Sequence, residues 1–322
     1  MDRRDNAALT VGVRQLPIPD LPAGEVDISV EHSSVNYKDA LILSESGYRA
    51  QRYPMVPGID LAGTVLASTD AAFSPGDRIV LNGDGLGESR WGGYAERAVV
   101  SPHSLVLLPP ELSTRDAMVM GTAGLAAALG ILALLDHGLS PQSGPVLVTG
   151  ASGGVGNLAV SVLAKLGFEV TASAGRTSTH RFLTDLGAKE VIGRLPKDGD
   201  APLRKERWAG ALDTVGGNTL SSVLAEMAYG AKVASLGFSG GMITPLNLAP
   251  LLVRGVSIAG INTSLCPIEL RRRAWTFLAG SFPRGLLEES VMVASLAEVP
   301  ETAQALLRGE IQSRVVVDPR AD

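Results

Sequence analysis

Between Glu25 and Val100 the apolar positions come in short runs bounded by Pro, Gly, Asp and Ser: EVDISVEHSSV (Glu25–Val35), GTVLAS (Gly63–Ser68), RIVLNG (Arg78–Gly83) and YAERAVV (Tyr94–Val100). Runs of this kind predict strands, and PGD at Pro75–Asp77 predicts a turn into one of them. Strands so closely spaced fit a small barrel or sandwich better than a parallel sheet. The pattern changes at Ser113. STRDAMVMGTAGLAAALGILALLDHG takes Ser113 as an N-cap and stops at Gly138. It is apolar on nearly all sides, as a helix buried between two layers is.

Strand and helix then alternate: VLVTGA, a helix to Gly167, EVTASAGR, a helix over Thr179–Gly187, EVIG, ALDTVGG, a helix over Leu220–Tyr229, KVASLG and VSIAGI. These strands are short and continuously apolar, as in a parallel sheet covered on both faces. The alternation predicts an α/β domain with a Rossmann doubly wound parallel sheet over residues 113–262. A helix over Ile268–Leu278 follows, and VMVASL (Val291–Leu296) and RVVVD (Arg314–Asp318) read as β again. The expected architecture is a nucleotide-binding domain inserted in a β-rich domain made of residues 1–112 and 263–322.

Composition narrows the class. The 37 glycines and 19 prolines are spread along the 322 residues and mark turns rather than a low-complexity tract. With a net charge of −5 and no Lys/Arg block longer than three, a nucleic-acid partner is not expected. Cys266 is the single cysteine, which forbids an internal disulfide and fits a reducing compartment. No window reaches 18 uninterrupted apolar residues, so the expectation is a soluble, cytoplasmic protein with no membrane partner.

The chemistry begins at VTGASGGVG (Val148–Gly156). Gly150, Gly153, Gly154 and Gly156 follow a strand and open a helix, the context a pyrophosphate cradle requires. Glycines let the backbone approach the phosphates, and the N–H groups of the helix start bind them. The second strand ends in SAGRTSTHR, with Arg176 where an NAD site needs a carboxylate, and no Asp or Glu before Asp185. A guanidinium suits a 2′-phosphate, and Ser173, Thr177 and Ser178 add hydroxyls. The cofactor expected is NADPH. Short-chain dehydrogenases are disfavoured, because no Tyr has a Lys four residues on and the loop lies mid-chain.

Seven motifs, in order along nearly the whole chain, carry a resemblance. They are SSVNYKDAL (Ser33–Leu41), PMVPGIDLAGTV (Pro54–Val65), GDGLGESRWGGYAE (Gly83–Glu96), GTAGLAA (Gly121–Ala127), VTGASGGVG, WAGALDTVGG (Trp208–Gly217) and LLVRGVSIAGIN (Leu251–Asn262). The chain resembles the zinc-independent medium-chain dehydrogenases/reductases of the quinone oxidoreductase type, and among them the NADPH-dependent acryloyl-CoA reductases. The resemblance implies a GroES-like fold for the β-rich catalytic domain at both ends of the chain.

It also implies site residues. Tyr37, the tyrosine of NYKDA, is expected against the cofactor and, with Asn36, in the catalytic set; Asp39 reads as a structural hydrogen-bond acceptor. The cofactor set comprises Tyr37, Gly150, Ser152, Gly153, Gly154, Val155, Gly156, Ser173, Ala174, Gly175, Arg176, Arg194, Phe238, Leu252 and Thr263. Arg194 has a solvated surface arginine as its other reading, and Ala174 stands where the family usually has serine. For coenzyme A phosphates the candidates are Arg49, Arg52 and the run Arg271–Arg273, each set against a plain solvated face.

No metal is expected. Cys266, His32, His103, His137 and His180 are widely separated, and where zinc members carry Gly-His-Glu the chain reads Gly58-Ile59-Asp60. Hydride transfer without a Lewis acid favours an activated double bond. The expected reaction is NADPH-dependent reduction of acryloyl-CoA to propionyl-CoA. A quinone or general enone reductase of the same fold, or a non-catalytic crystallin-like NADPH-binding protein, are the alternatives. A homodimer is expected, with VSIAGI as the pairing edge.

Overall fold

The computed structural model describes residues 1–3, 8–17, 22, 24–44, 50–196, 202–285, 291–311 and 314–321. In chain order the first elements are β1 (Val26–Val35), α1 (Tyr37–Leu43), β2 (Asp60–Ser68), β3 (Arg78–Asn82), β4 (Arg97–Val100), β5 (Val106–Leu107) and α2 (Thr114–Leu135). Then come β6 (Val146–Thr149), α3 (Gly154–Lys165), β7 (Val170–Ser173), α4 (His180–Asp185), β8 (Glu190–Ile192), β9 (Trp208–Asp213) and α5 (Gly217–Ala225). The remainder are β10 (Met227–Ser235), α6 (Ala249–Arg254), β11 (Ser257–Gly260), α7 (Ile268–Ser281), β12 (Met292–Ala294), α8 (Val299–Arg308) and β13 (Val315–Val317).

The chain forms two compact units. Unit 1 comprises residues 1–122, 263–279 and 287–322; unit 2 comprises 123–262 and 280–286. The sequence places the change at Ser113, but the units divide after Thr122, inside α2.

Unit 1 is built around β1. Its first part pairs antiparallel with β2 and β4, and its last three residues, Ser33–Val35, pair with Val315–Val317 of β13. The sheet runs β12-β13-β1-β2-β3-β5, with β4 on β1. Alternation in β1 and β2 turns Val26, Ile28, Val30, Leu61 and Val65 into one core with Ile79, Leu81 and Leu105. The C-terminal strand thus lies beside the segment that leads into NYKDA.

Unit 2 is a six-stranded sheet, β11-β10-β9-β6-β7-β8, in which every pairing is parallel. From β6 the chain steps outward through β7 and β8, then returns to β9 on β6's other side. The reversal between β6 and β9 is the topological switch point, where such sheets open a crevice at their carboxyl ends.

Three element expectations change. The helix expected to Tyr229 ends at Ala225, because Met227 already pairs with Trp208 at the start of β10. The helix expected over Thr179–Gly187 is a 3₁₀ turn, Thr177–Thr179, followed by the short α4. Helix α2 breaks at Gly121, where φ is 51° and ψ −154°. Helix α2 is long and apolar enough to cross a membrane, and 83% of its most apolar 18-residue window is buried inside the protein.

Candidate cofactor and active site

The glycine cradle follows β6 and fills the switch point. Gly150 adopts φ +57°, and a Cβ there would lie 2.2 Å from Thr214 Oγ1. A Cβ at Gly156 would lie 2.4 Å from the Gly150 carbonyl oxygen and 2.6 Å from Ala151 Cα. The Gly153 N–H donates to the Gly150 carbonyl (2.9 Å), and the Ala151 N–H to that of Ser173 (3.0 Å). Helix α3 starts at Gly154, its N-cap Gly153 supplies no side-chain hydrogen bond, and the first-turn N–H groups of Gly154, Val155 and Gly156 have no intrahelical acceptor. Ser152 lies in the turn between strand and helix. These residues fit a dinucleotide pyrophosphate: the backbone is bare, and donors converge at a helix start.

The end of β7 holds the cationic part. Gly175, Arg176, Thr177 and Ser178 are all exposed. A Cβ on Gly175 would lie 2.3 Å from Arg194 Nε, so the Arg194 guanidinium rests against the turn that carries Arg176. Two arginines therefore meet at one turn, a charge arrangement suited to a phosphate dianion. Ser173 contributes differently: it is buried, and its hydroxyl donates to the Gly193 carbonyl (3.0 Å). Ala174 is buried as well, its N–H donating to Ile192 (3.0 Å). Both hold the β7–β8 edge under the turn.

Phe238 and Leu252 are exposed on unit 2, 54% and 79% accessible, while Thr263 opens the return of the chain to unit 1.

In unit 1, Tyr37 is the first residue of α1 and is 52% exposed, with its neighbours locked beneath it. The Asp39 carboxylate accepts from the Asn36 N–H (3.0 Å), the Asn36 amide (3.2 Å) and the Ile59 N–H (2.9 Å). The Asp60 carboxylate accepts five bonds: Ser34 Oγ at 2.7 Å, Asn36 Nδ2 at 2.8 Å, Thr122 N–H at 2.7 Å, Thr122 Oγ1 at 2.5 Å and Asn82 Nδ2 at 2.8 Å. Arg314 donates through Nη2 to Asn36 Oδ1 (3.2 Å) and through Nε to the Val119 carbonyl (2.9 Å). Asn36, Asp39, Asp60 and Arg314 are all buried. Every polar atom of the Asn36 amide is thus used inside unit 1.

The break in α2 serves this cluster. A Cβ at Gly121 would lie 2.6 Å from Asp60 Oδ2 and 2.8 Å from both Arg314 Nη2 and Ser34 Oγ, so only glycine fits. The broken turn also aims the Thr122 N–H at Asp60. Burial, reinforced by the Asp60 charge, pushes the Asp39 carboxyl up to about 7, against hydrogen bonds that pull it down. Burial also raises the Tyr94 phenol, whose O–H donates to the Ser34 carbonyl (3.1 Å).

The coenzyme A candidates separate. Arg49 lies outside the described residues, and Arg52 is exposed. Arg271 is fully buried and donates to the carbonyls of Asn82 (2.7 Å), Thr263 (2.8 Å) and Ser264 (3.2 Å), so it braces the turn after Asn262 and faces no solvent. Arg272 pairs with Glu269 at 2.7 Å, and Arg273 is exposed.

Asn82, Thr122, Asp213 and Arg314 are not singled out by the sequence, and Asp60 only as the residue standing in the Gly-His-Glu position. A usable signal was present at the two acids: Asp60 and Asp213 each interrupt an apolar run, and a charge that folding buries must find partners.

A parallel sheet with a bare glycine cradle at its switch point and two arginines at the next strand end defines a dinucleotide-binding unit. The alcohol dehydrogenase GroES-like domain family matches residues 22–110, and the zinc-binding dehydrogenase family matches residues 154–279. Acrylyl-CoA reductase AcuI of Ruegeria pomeroyi is 46% identical over 324 aligned residues, covering 100% of this chain and 98% of that protein. The chain belongs to the medium-chain dehydrogenases/reductases of the quinone oxidoreductase type.

Among solved structures, the yhdH oxidoreductase from Salmonella enterica in complex with NADP superposes with a TM-score of 0.93 at 44% identity, covering 96% of this chain and 95% of that one. The Bacillus subtilis protein yhfP with NAD bound gives 0.91 at 42% identity, covering 95% and 94%.

The zinc in the family's description does not fit these residues. At the position corresponding to its ligand motif, both Asp60 oxygens are filled by hydrogen-bond donors, and the Arg314 cation lies beside them. Among the described residues no group of three His, Cys, Asp or Glu side chains converges.

Proposed function

We propose that this chain catalyses the NADPH-dependent reduction of acryloyl-CoA to propionyl-CoA. The full-length identity of 46% to an acrylyl-CoA reductase carries the reading, and the Arg176–Arg194 turn beside the glycine cradle supports the phosphorylated cofactor. The reaction consumes one NADPH and one proton: a hydride goes to the β-carbon, a proton to the α-carbon, and the C=C bond becomes single. Bound NADPH supplies the hydride.

The chain's own residues bind, orient and stabilise. The α3 start and the glycines hold the pyrophosphate, and Arg176 and Arg194 hold the 2′-phosphate. Tyr37 presents an exposed phenol at the head of α1 and is assigned to the nicotinamide and thioester end of the site. There an O–H donor stabilises charge developing on the thioester oxygen. Asn36, its amide wholly engaged, fixes the start of α1 and so the position of Tyr37. In this reading the protein is cytoplasmic, as a single cysteine fits, and acts as a homodimer through the β11 edge and the apolar face of Leu252 and Val253.

The test is NADPH oxidation with acryloyl-CoA, crotonyl-CoA and a benzoquinone, repeated with NADH because one similar structure holds NAD. Acryloyl-CoA is expected to have the highest kcat/KM. Faster quinone turnover would replace the substrate assignment, and tight NADPH binding without turnover on any acceptor would point to a binding protein.

A further inference from the structure

The ladder between the two strands at the switch point stops early. Regular pairing of β6 with β9 ends at Val148 with Leu212. One residue on, Thr149 and Asp213 are joined through side chains instead. The Asp213 carboxylate accepts from the Thr149 hydroxyl (2.6 Å), the Gly216 N–H (2.9 Å) and the Val215 N–H (3.3 Å). Thr149 Oγ1 in turn accepts from the Thr214 N–H (3.1 Å), and the Thr214 hydroxyl donates to the Thr149 carbonyl (2.8 Å). Asp213 is fully buried.

This knot sets how closely three turns approach. Gly150, first of the cradle, is held with its missing Cβ 2.2 Å from Thr214 Oγ1. On the far side a Cβ at Gly237 would lie 2.2 Å from the Thr214 carbonyl oxygen, and one at Gly217 would lie 2.6 Å from that of Gly240. The Gly240 N–H donates to Val215 (2.7 Å). Cradle, 214–217 turn and 237–241 turn therefore form one stack, and Asp213 is the only ionisable group bonded within it among the described residues.

We propose that Asp213 is a positioning residue for the cofactor: it fixes the spacing of cradle and 214–217 turn, and so governs binding of the pyrophosphate–nicotinamide part of the dinucleotide but not its 2′-phosphate end. The inference rests on unit 2 binding NADPH. The 2′-phosphate end is assigned to the β7 turn, and among the described residues the bonds of Asp213 and Thr214 go to Thr149, Val215 and Gly216, not to Gly175–Ser178. In Asp213→Asn, the amide retains one acceptor and turns its NH2 toward either the Gly216 N–H or the Val215 N–H, since the Thr149 hydroxyl beside Val215 can rotate to accept. Either way one bond becomes a donor–donor contact.

The experiment measures the Kd of NADPH and the inhibition constant of adenosine 2′-monophosphate for wild type, Asp213→Asn and Thr214→Val, with a thermal melt of each. The expected result is at least a tenfold rise in NADPH Kd for Asp213→Asn and about threefold for Thr214→Val, with 2′-monophosphate inhibition changed less than twofold. Parallel weakening of both ligands with a lowered Tm would mean a general structural role and overturn the proposal. So would an unchanged NADPH Kd in the variants. Should Asp213→Asn fail to fold, Thr214→Val carries the same split between ligands. A wild type that binds no NADPH overturns the cofactor reading, and this inference with it.

Discussion

Arg176 and Asp39 make opposite use of charge. Arg176 is exposed at a strand end, placed by a glycine turn with Arg194 at its back. Charge-assisted hydrogen bonds contribute about 1.5–3 kcal/mol each, so Arg176→Asp should raise the KM for NADPH roughly 10- to 100-fold while leaving NADH nearly unchanged; steady-state kinetics with both cofactors check it. Asp39 is buried, and its carboxyl titrates near 7 in the folded chain against 3.8 when exposed. The folded state therefore binds this proton more tightly than the unfolded state. Its contribution is fully present below pH 4 and is lost as pH rises through about 7. Asp39→Asn should flatten the fall in stability between pH 4 and 7, measured by urea midpoints across that range.

At the scale of elements, what was legible depended on locality. The cradle, the Arg176 turn and NYKDA were readable because strand, glycines and helix start are neighbours in sequence. The Gly121 break was not: GTAGLAA reads as continuous helix, and only Asp60, Ser34 and Arg314, brought in from three other segments, forbid a Cβ there. The seven-residue α1 was missed because it is too short for a helical period to declare itself. The β10 start was misread as helix because the pairing of Met227 with Trp208 overrides local pattern. Gly121→Ala puts an alanine at a backbone angle costing about 1–3 kcal/mol by itself, plus the contact with Asp60. A lowered urea midpoint with an unchanged m-value is expected, with loss of activity beyond the loss of fold.

For the whole molecule, the sequence correctly indicated a parallel-sheet unit set between two β-rich pieces, because strand spacing and helix alternation are properties of long stretches. The buried polar cluster of unit 1 stayed hidden, since its members come from positions as far apart as Asn36 and Arg314. Unit 2 leaves apolar side chains uncovered. Leu252 and Val253 are 79% and 63% exposed on α6, next in sequence to the edge strand β11. Solitary exposed apolar residues need no explanation, but a cluster beside an open sheet edge does. The proposed dimer predicts that a Leu252→Asp, Val253→Asp double variant runs as a 33.4 kDa monomer in light scattering with NADPH affinity unchanged if Leu252 serves assembly alone; weakened affinity would place it at the cofactor too.

The bond between Arg314 and Asn36 spans 278 residues. At roughly 5–20 residues per second of synthesis, the NYKDA segment is made about 15 to 55 s before the arginine that completes its cluster exists. Throughout that interval Asp39 and Asp60 have no cation to accompany them into the interior, and β1 lacks its partner β13 along Ser33–Val35. The nascent first unit must therefore wait, open at that edge, while the whole of the second unit is made. A ribosome stalled before Arg314 should hold a chain whose unit 2 can resist protease while its first β-rich segment is cut.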